Sequence, residues 1–299
     1  GLVVSLLSGS ELSVSGPAAG LTVIVALGIK ELGGYENFLL AVALSGIFQI
    51  VFGILRSGAI ASLFPSSVIK GMLAAIGITI IIKQLPHAFG GFDSFSSEME
   101  YVDWAGVQGL WNYITSLILT IKWSAFAITL GSLGLLFLWE TPRIKSHRVL
   151  SRIPGPLVAV TVGAVGNQLF HFSFPHLELH AKDGHMVALP NLDSWGALMS
   201  QLRFPNFSGI TNTKVWMVAF TIAAVGSIET LLCLESTEKL DPWRRISHRN
   251  RELVGQGIGN LMCGLVGGIP VTSVIVRSSA NIYAGARTRT SSFLHGVIL

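Results

Sequence analysis

Apolar runs of roughly 17–22 residues recur along this 299-residue chain, each long enough to cross ~30 Å of hydrocarbon as a helix. Read with their Gly, Pro and charged punctuation, they place spans near 12–32, 36–55, 65–86, 123–140, 153–172, 214–234, 250–265 and 267–290. Charged residues make up 12% of the chain, against about 25% in soluble proteins, and mean hydropathy is +0.62. The expected class is an all-α polytopic membrane protein, not a soluble α/β enzyme. The chain starts at Gly1 without a basic leader and stops inside the apolar run "FLHGVIL", so a fragment of a longer transmembrane domain is expected.

The net charge of +4 is not the footprint of a nucleic-acid binder, because the basic residues sit where loops meet spans. If the spans alternate strictly, one side collects Arg56, Arg143, Lys145, Arg148, Arg152, Lys239, Arg244, Arg245, Arg249, Arg251, Arg287 and Arg289. The other side has Lys30, Lys83, Lys122, Lys182, Arg203 and Lys214, and the twelve-to-six excess assigns the first side to the cytoplasm. A multi-pass protein of the cell membrane is expected. Trp123 and Trp139 bracket the fourth span as interface anchors, and "WNYITSLILTIK" just before it reads as an amphipathic helix lying in the outer interface, or else as part of a longer tilted span.

Two outer loops are long. Residues 87–111 carry Asp93, Glu98, Glu100 and Asp103, and residues 173–213 hold a hairpin around "KDGHMVALP" with the sequon Asn206-Phe207-Ser208. His171, His176, His180 and His185 are spaced five, four and five apart with Pro175 among them, which does not put ligands on one face, so no metal is expected. Cys233 and Cys263 lie inside apolar segments and read as packing residues. With no nucleophile elbow, P-loop or metal motif, the chain reads as neither an enzyme nor a cofactor binder.

Two spans are broken. "SELSVSGPAAGLTVIV" (10–25) has an alternating, strand-like piece from Glu11 to Ser15, then Gly16-Pro17, then a short apolar helix. "LVGGIPVTSVIVRSSANIYAG" (265–285) is interrupted by Gly267, Gly268 and Pro270 and carries Arg277 in its middle. In both, Pro is expected to open the helix after a Gly-containing extended piece. Interrupted backbone is tolerated at membrane depth only where protein or a cavity surrounds it. By the topology above the two segments run antiparallel, as an inverted repeat demands, so two half-helix N-termini are expected to meet near the midplane and offer free N–H groups to an anion. Arg277 adds a cation there. Glu229, in "AVGSIETLLCLES", is read as the one other buried ionisable residue, able to pair with a cation, take a proton or offset the site's positive charge. Glu11 sits at the inner end, and Lys70 snorkels.

At "SVSGPAAG", "FPSSVIKGMLAAIGITIIIKQLP", "GSIETLLCLESTEKLDP" and "NRELVGQGIGNLMCGLVGGIPVTSVIVRSSANIYAGARTR" the chain resembles the sulfate permease (SulP) family of inorganic anion transporters, related to the animal solute carrier 26 group. The resemblance implies a fold of seven plus seven spans in inverted repeat, of which these eight look like the third to the tenth, with a cytoplasmic STAS domain outside this chain. It implies a homodimer, and an anion held by Gly16, Pro17, Ala18 and Ala19 on one side and Thr272, Ser273, Val274 and Arg277 on the other. Glu229 matches the acidic position linked to cation or proton coupling. One turn later, sodium-coupled bicarbonate members look to have a hydroxyl where this chain has Cys233, which favours a coupling proton or exchange over sodium. The expected function is secondary active transport of a small inorganic anion such as sulfate or bicarbonate. The alternatives are a nucleobase permease of the same fold, which would put acids at the midplane, and an anion-binding membrane protein that does not turn over.

Overall fold

The computed structural model describes residues 1–59, 66–90, 107–119, 121–147, 153–174 and 202–298, with 150, 177–179, 196 and 199. The acidic residues of the first long loop, the hairpin around "KDGHMVALP", Arg148, Arg152, Lys182, His176, His180 and His185 lie outside the described residues. The chain divides into two compact units, residues 1–76 with 192–299, and residues 77–191.

In chain order the first unit contains α1 (Leu2–Leu7), β1 (Ser15–Pro17), a 3₁₀ turn (Ala19–Leu21), α2 (Thr22–Glu31) and α3 (Tyr35–Ile54). The unit boundary falls inside α4 (Ser66–Phe89). The second unit continues with α5 (Val107–Leu119), α6 (Trp123–Trp139), the short α7 (Pro142–Lys145) and α8 (Gly155–Ser173). The chain returns to the first unit with α9 (Thr213–Leu240), α10 (Arg249–Val266), β2 (Val271–Ser273), α11 (Ile275–Tyr283) and α12 (Thr290–Ile298). The long helices fall on the apolar runs that announced them. Among the described residues α3 and α9 are long and apolar enough to cross a membrane, or three spans qualify if Tyr113–Leu119 and Trp123–Trp139 form one segment bent by 106°. That bend separates the aromatic helix before the fourth span from the span itself.

In the second unit, Tyr113 and Leu117 of α5 bury against Ile82, Leu85 and Phe89 of α4, and the Tyr113 hydroxyl donates to the Ile82 carbonyl at 2.7 Å. Phe89 stacks on Phe126 with centroids 5.5 Å apart.

The first unit is built on α3. Its buried residues Phe38, Leu40, Val42 and Leu44 form one apolar cluster with Val215, Val218, Ala219 and Ile222 of α9. It also meets α10 at backbone distance. A side chain at Gly46 would overlap the Leu261 amide, and one at Gly264 would overlap the Ala43 backbone. In lipid, where apolar side chains gain little by leaving the solvent, such close backbone contact is a main source of helix association. Gly264→Ala is expected to destabilise this unit by about 1–3 kcal/mol through overpacking, seen as a lower unfolding temperature in detergent; an unchanged temperature would deny that α3 and α10 touch there.

α10 ends at Gly267, whose φ of +96° is a left-handed cap that a side chain resists. Both interrupted spans occur where the sequence placed them, but the prolines do not open helices. Pro17 is the last residue of β1 and Pro270 the residue before β2, while α2 and α11 start five residues further on, at Thr22 and Ile275. Proline has no N–H to leave unpaired at the end of a two-stranded ladder, so it serves there instead.

Candidate functional site

β1 and β2 pair antiparallel, Ser15 opposite Ser273, Gly16 opposite Thr272 and Pro17 opposite Val271. The Val274 N–H extends the contact to the Val14 carbonyl at 3.0 Å. This crossing launches the two half-helices: α2 by way of the Ala19–Leu21 turn, and α11 directly. The first bond inside α11 runs from the Ser278 N–H to the Val274 carbonyl, so the amides of Ile275, Val276 and Arg277 have no intrahelical acceptor.

Those amides, rather than those of Thr272 to Val274, are the free donors at this end. The Ser273 N–H points at the Thr230 hydroxyl at 3.4 Å and the Val274 N–H is taken by the ladder. Thr272 and Ser273 are fully buried. The Ser273 hydroxyl donates to Glu252 at 3.1 Å and accepts from Ser13 at 2.9 Å, so it belongs to the scaffold behind the site. Gly16 and Ala18 are buried and Pro17 exposed; Ala19 opens the 3₁₀ turn.

Arg277 lies over Gly16. A Cβ on Gly16 would sit 2.5 Å from its Nη1 and 3.1 Å from its Cζ, so the guanidinium occupies the space that the missing side chain leaves at the crossing. Among the described residues Arg277 makes no ion pair or hydrogen bond, and it is half-buried. Glu229, on α9, faces the other half-helix: a Cβ on Gly20 would sit 2.7 Å from its Oε1. Its Oε2 is buried without a hydrogen-bond partner among the described residues. The two charged groups singled out in the sequence thus both reach the first arm of the crossing, Arg277 at β1 and Glu229 at the turn into α2.

The sequence reading took Glu229 as the other buried ionisable group and missed a second carboxylate. Glu252 is 0% exposed. It accepts from the Ser8 hydroxyl, the Gly9 N–H at 2.9 Å, Gln256 Nε2 at 3.1 Å and Ser273. One helical turn along, Gln256 reaches Ser15 and Ser273; one turn further, Asn260 clamps Val271 with 2.7 and 3.0 Å bonds and holds Gln49 Oε1 at 2.7 Å. The signal was present in "RELVGQGIGN", where Glu252, Gln256 and Asn260 recur every fourth residue on one face of an otherwise apolar helix.

A second tether joins the start of the first broken segment to the residues that follow the second. Arg289, one residue before α12, donates to Glu11 at 2.8 Å, and the hydrogen bond from that guanidinium holds the Glu11 carboxyl below its usual range. A lowered folded-state pKa contributes stability that is complete above the unfolded pKa and lost as pH falls through the folded value. Thermal stability of the native protein is therefore expected to drop faster below about pH 4 than that of Glu11→Gln, by at most about 1 kcal/mol because the pair is partly exposed. Parallel acid profiles would remove the pair from the account.

Among the described residues no three His, Cys, Asp or Glu side chains are grouped to hold a metal; His171 bonds Glu178 at 2.8 Å.

The sulfate permease family matches residues 1–299. YvdB of Bacillus subtilis (strain 168), named provisionally as a sulfate transporter, is 29% identical over 100% of this chain and 51% of its own length. The bicarbonate transporter BicA of Picosynechococcus sp. is 28% identical over 100% of this chain and 49% of its own. The chain spans about half the length of these curated relatives. Among solved structures, the transmembrane domain of a cyanobacterium bicarbonate transporter BicA matches with a TM-score of 0.70 at 24% identity, over 99% of this chain and 71% of that one. The murine Solute Carrier 26 family member A9 anion transporter in the inward-facing state matches at 0.63 and 16%, over 99% and 49%. These likenesses show the fold, part of the inverted-repeat architecture of integral membrane transporters, which the paired broken spans express in this chain. Matched along all 299 residues, this chain belongs to the sulfate permease family.

Proposed function

We propose that this chain forms the substrate-binding part of a secondary transporter of small inorganic anions, of the sulfate or bicarbonate class, working by alternating access. The observation that carries the reading is the β1–β2 crossing. It joins the two segments that lead into the half-helices, puts Arg277 over Gly16 and leaves the Ile275, Val276 and Arg277 amides unclaimed within the helix. Dipolar N–H groups and one cation suit an anion of low charge, and nothing in the arrangement calls for covalent chemistry. The anion is held by these amides, by the backbone around Gly16 to Gly20 and by Arg277. Thr272, Ser273 and Val274 shape the site from behind.

Glu229 is the coupling group. Its buried, unpartnered Oε2 is a place for a proton, and Cys233 one turn on is a poor sodium ligand. The eight spans correspond to the third to tenth of fourteen, in a homodimer of the cell membrane whose cytoplasmic STAS domain lies outside this chain.

The test is uptake of labelled sulfate and labelled bicarbonate into liposomes holding the full-length protein, under imposed proton or sodium gradients. Native protein is expected to accumulate one anion when a proton gradient is applied, and Glu229→Gln to keep anion exchange but lose the response to that gradient. Uptake by Glu229→Gln that still follows the proton gradient would refute the coupling role, and binding without uptake under any gradient would refute the carrier.

A further inference from the structure

The turn between α9 and α10 and the turn after α11 come together at one end of the first unit, and the surface they make is both cationic and apolar. Trp243 is 56% exposed and Ile246 83% exposed. The Arg245 guanidinium lies 4.6 Å from the centroid of the Trp243 ring and that of Arg287 5.8 Å. Arg245 Nη1 also donates to the Arg287 carbonyl at 2.8 Å, which joins the two turns.

The acids nearby are already engaged. Asp241 accepts from Arg245 Nε at 2.7 Å and from the Trp243 N–H at 3.1 Å; burial works against its charge, but these bonds outweigh it and keep its pKa low. Glu238 accepts from the Ser247 N–H at 2.9 Å. Arg244 and Arg287 are exposed and pair with no carboxylate among the described residues. The adjoining cleft, about 370 Å³, is lined by Arg245, Arg251 and Arg289 against Glu11, Glu238 and Asp241, a balanced set that selects no anion.

We propose that Trp243, Ile246, Arg244 and Arg287 form a docking surface for the headgroup of an anionic phospholipid, with the indole and the isoleucine at the acyl boundary and the two guanidiniums on the phosphate. A tryptophan beside exposed arginines is the pairing that the headgroup level of a bilayer favours, and guanidinium geometry suits a phosphate diester. A folded, neutral protein partner would leave both arginines without counter-charge. The orientation derived from the charge count puts this surface on the cytoplasmic side. The proposal does not depend on which anion is carried.

The experiment uses full-length protein in phosphatidylcholine vesicles containing a minor share of phosphatidylglycerol, with bromine on the acyl chains of one lipid or the other. The Trp243 signal is the difference between native protein and Trp243→Phe. Per brominated lipid, phosphatidylglycerol is expected to quench that signal more strongly, with a preference of about tenfold that high salt and the Arg244→Gln/Arg287→Gln double variant both reduce. Equal quenching by the two lipids would overturn the charge recognition. No quenching by either would show that protein, not lipid, covers Trp243, and would overturn the proposal as a whole. Transport by the double variant serves as the control for folding.

Discussion

Glu252→Ala is expected to cost about 3–5 kcal/mol, enough to remove most of the folded protein from a detergent extract. The carboxylate is fully enclosed and four donors converge on it from α10, from the segment before β1 and from β2. Truncation leaves the Gly9 N–H and the Ser8 and Ser273 hydroxyls facing a dry cavity, each with its own desolvation penalty. Glu252→Gln keeps the volume but turns one acceptor into a donor opposite donors, so it is expected to fall between native and alanine. Size-exclusion profiles after heating would rank the three. A Glu252→Ala protein as stable as the native one would mean that this network does not hold the crossing together.

Gly16→Ala is expected to act on function with little effect on folding. Its added methyl would sit 2.5 Å from Arg277 Nη1, a clash that the flexible arginine relieves by moving away, since the obstacle is a side chain rather than backbone. On the proposed reading the anion then loses the Arg277 guanidinium while the β1–β2 ladder stays paired. Losing a charge-assisted contact costs about 1.5–3 kcal/mol, which corresponds to roughly ten- to hundredfold in apparent affinity. Arg277→Ala should match it, and the two together should be barely worse than either, because both remove the same contact. Additive losses would place Gly16 and Arg277 in separate roles.

The interrupted spans, their antiparallel sense and the ranges of the long helices were legible because each leaves a one-dimensional mark: an apolar run, a Gly-Pro break, a charge excess on one side. Arg277 and Glu229 were legible for a related reason, since an ionisable residue deep in a span is costly enough to need a purpose. Which amides are left free at the crossing was not. Thr272 and Ser273 were named through the family resemblance; in the structure both are buried, and the Ser273 hydroxyl bonds Glu252. The roles of Gly16 and Gly20 likewise depend on residues 261 and 209 positions away, a distance that no local pattern encodes. Glu252 was not singled out because it stands beside Arg249 and Arg251 at the end of a span, where charges are ordinary, and the stripe it begins with Gln256 and Asn260 drew no separate reading.

The most direct test of the central claim, that an anion is held between two half-helix ends with Arg277, is equilibrium binding of radiolabelled sulfate and bicarbonate to the purified full-length protein, with Arg277→Ala and Gly16→Ala alongside. The expected result is saturable binding of one anion, displaced by its unlabelled form and weakened at least about tenfold by either substitution while thermal stability is kept. Binding of equal strength in all three proteins would place the anion elsewhere and contradict the account.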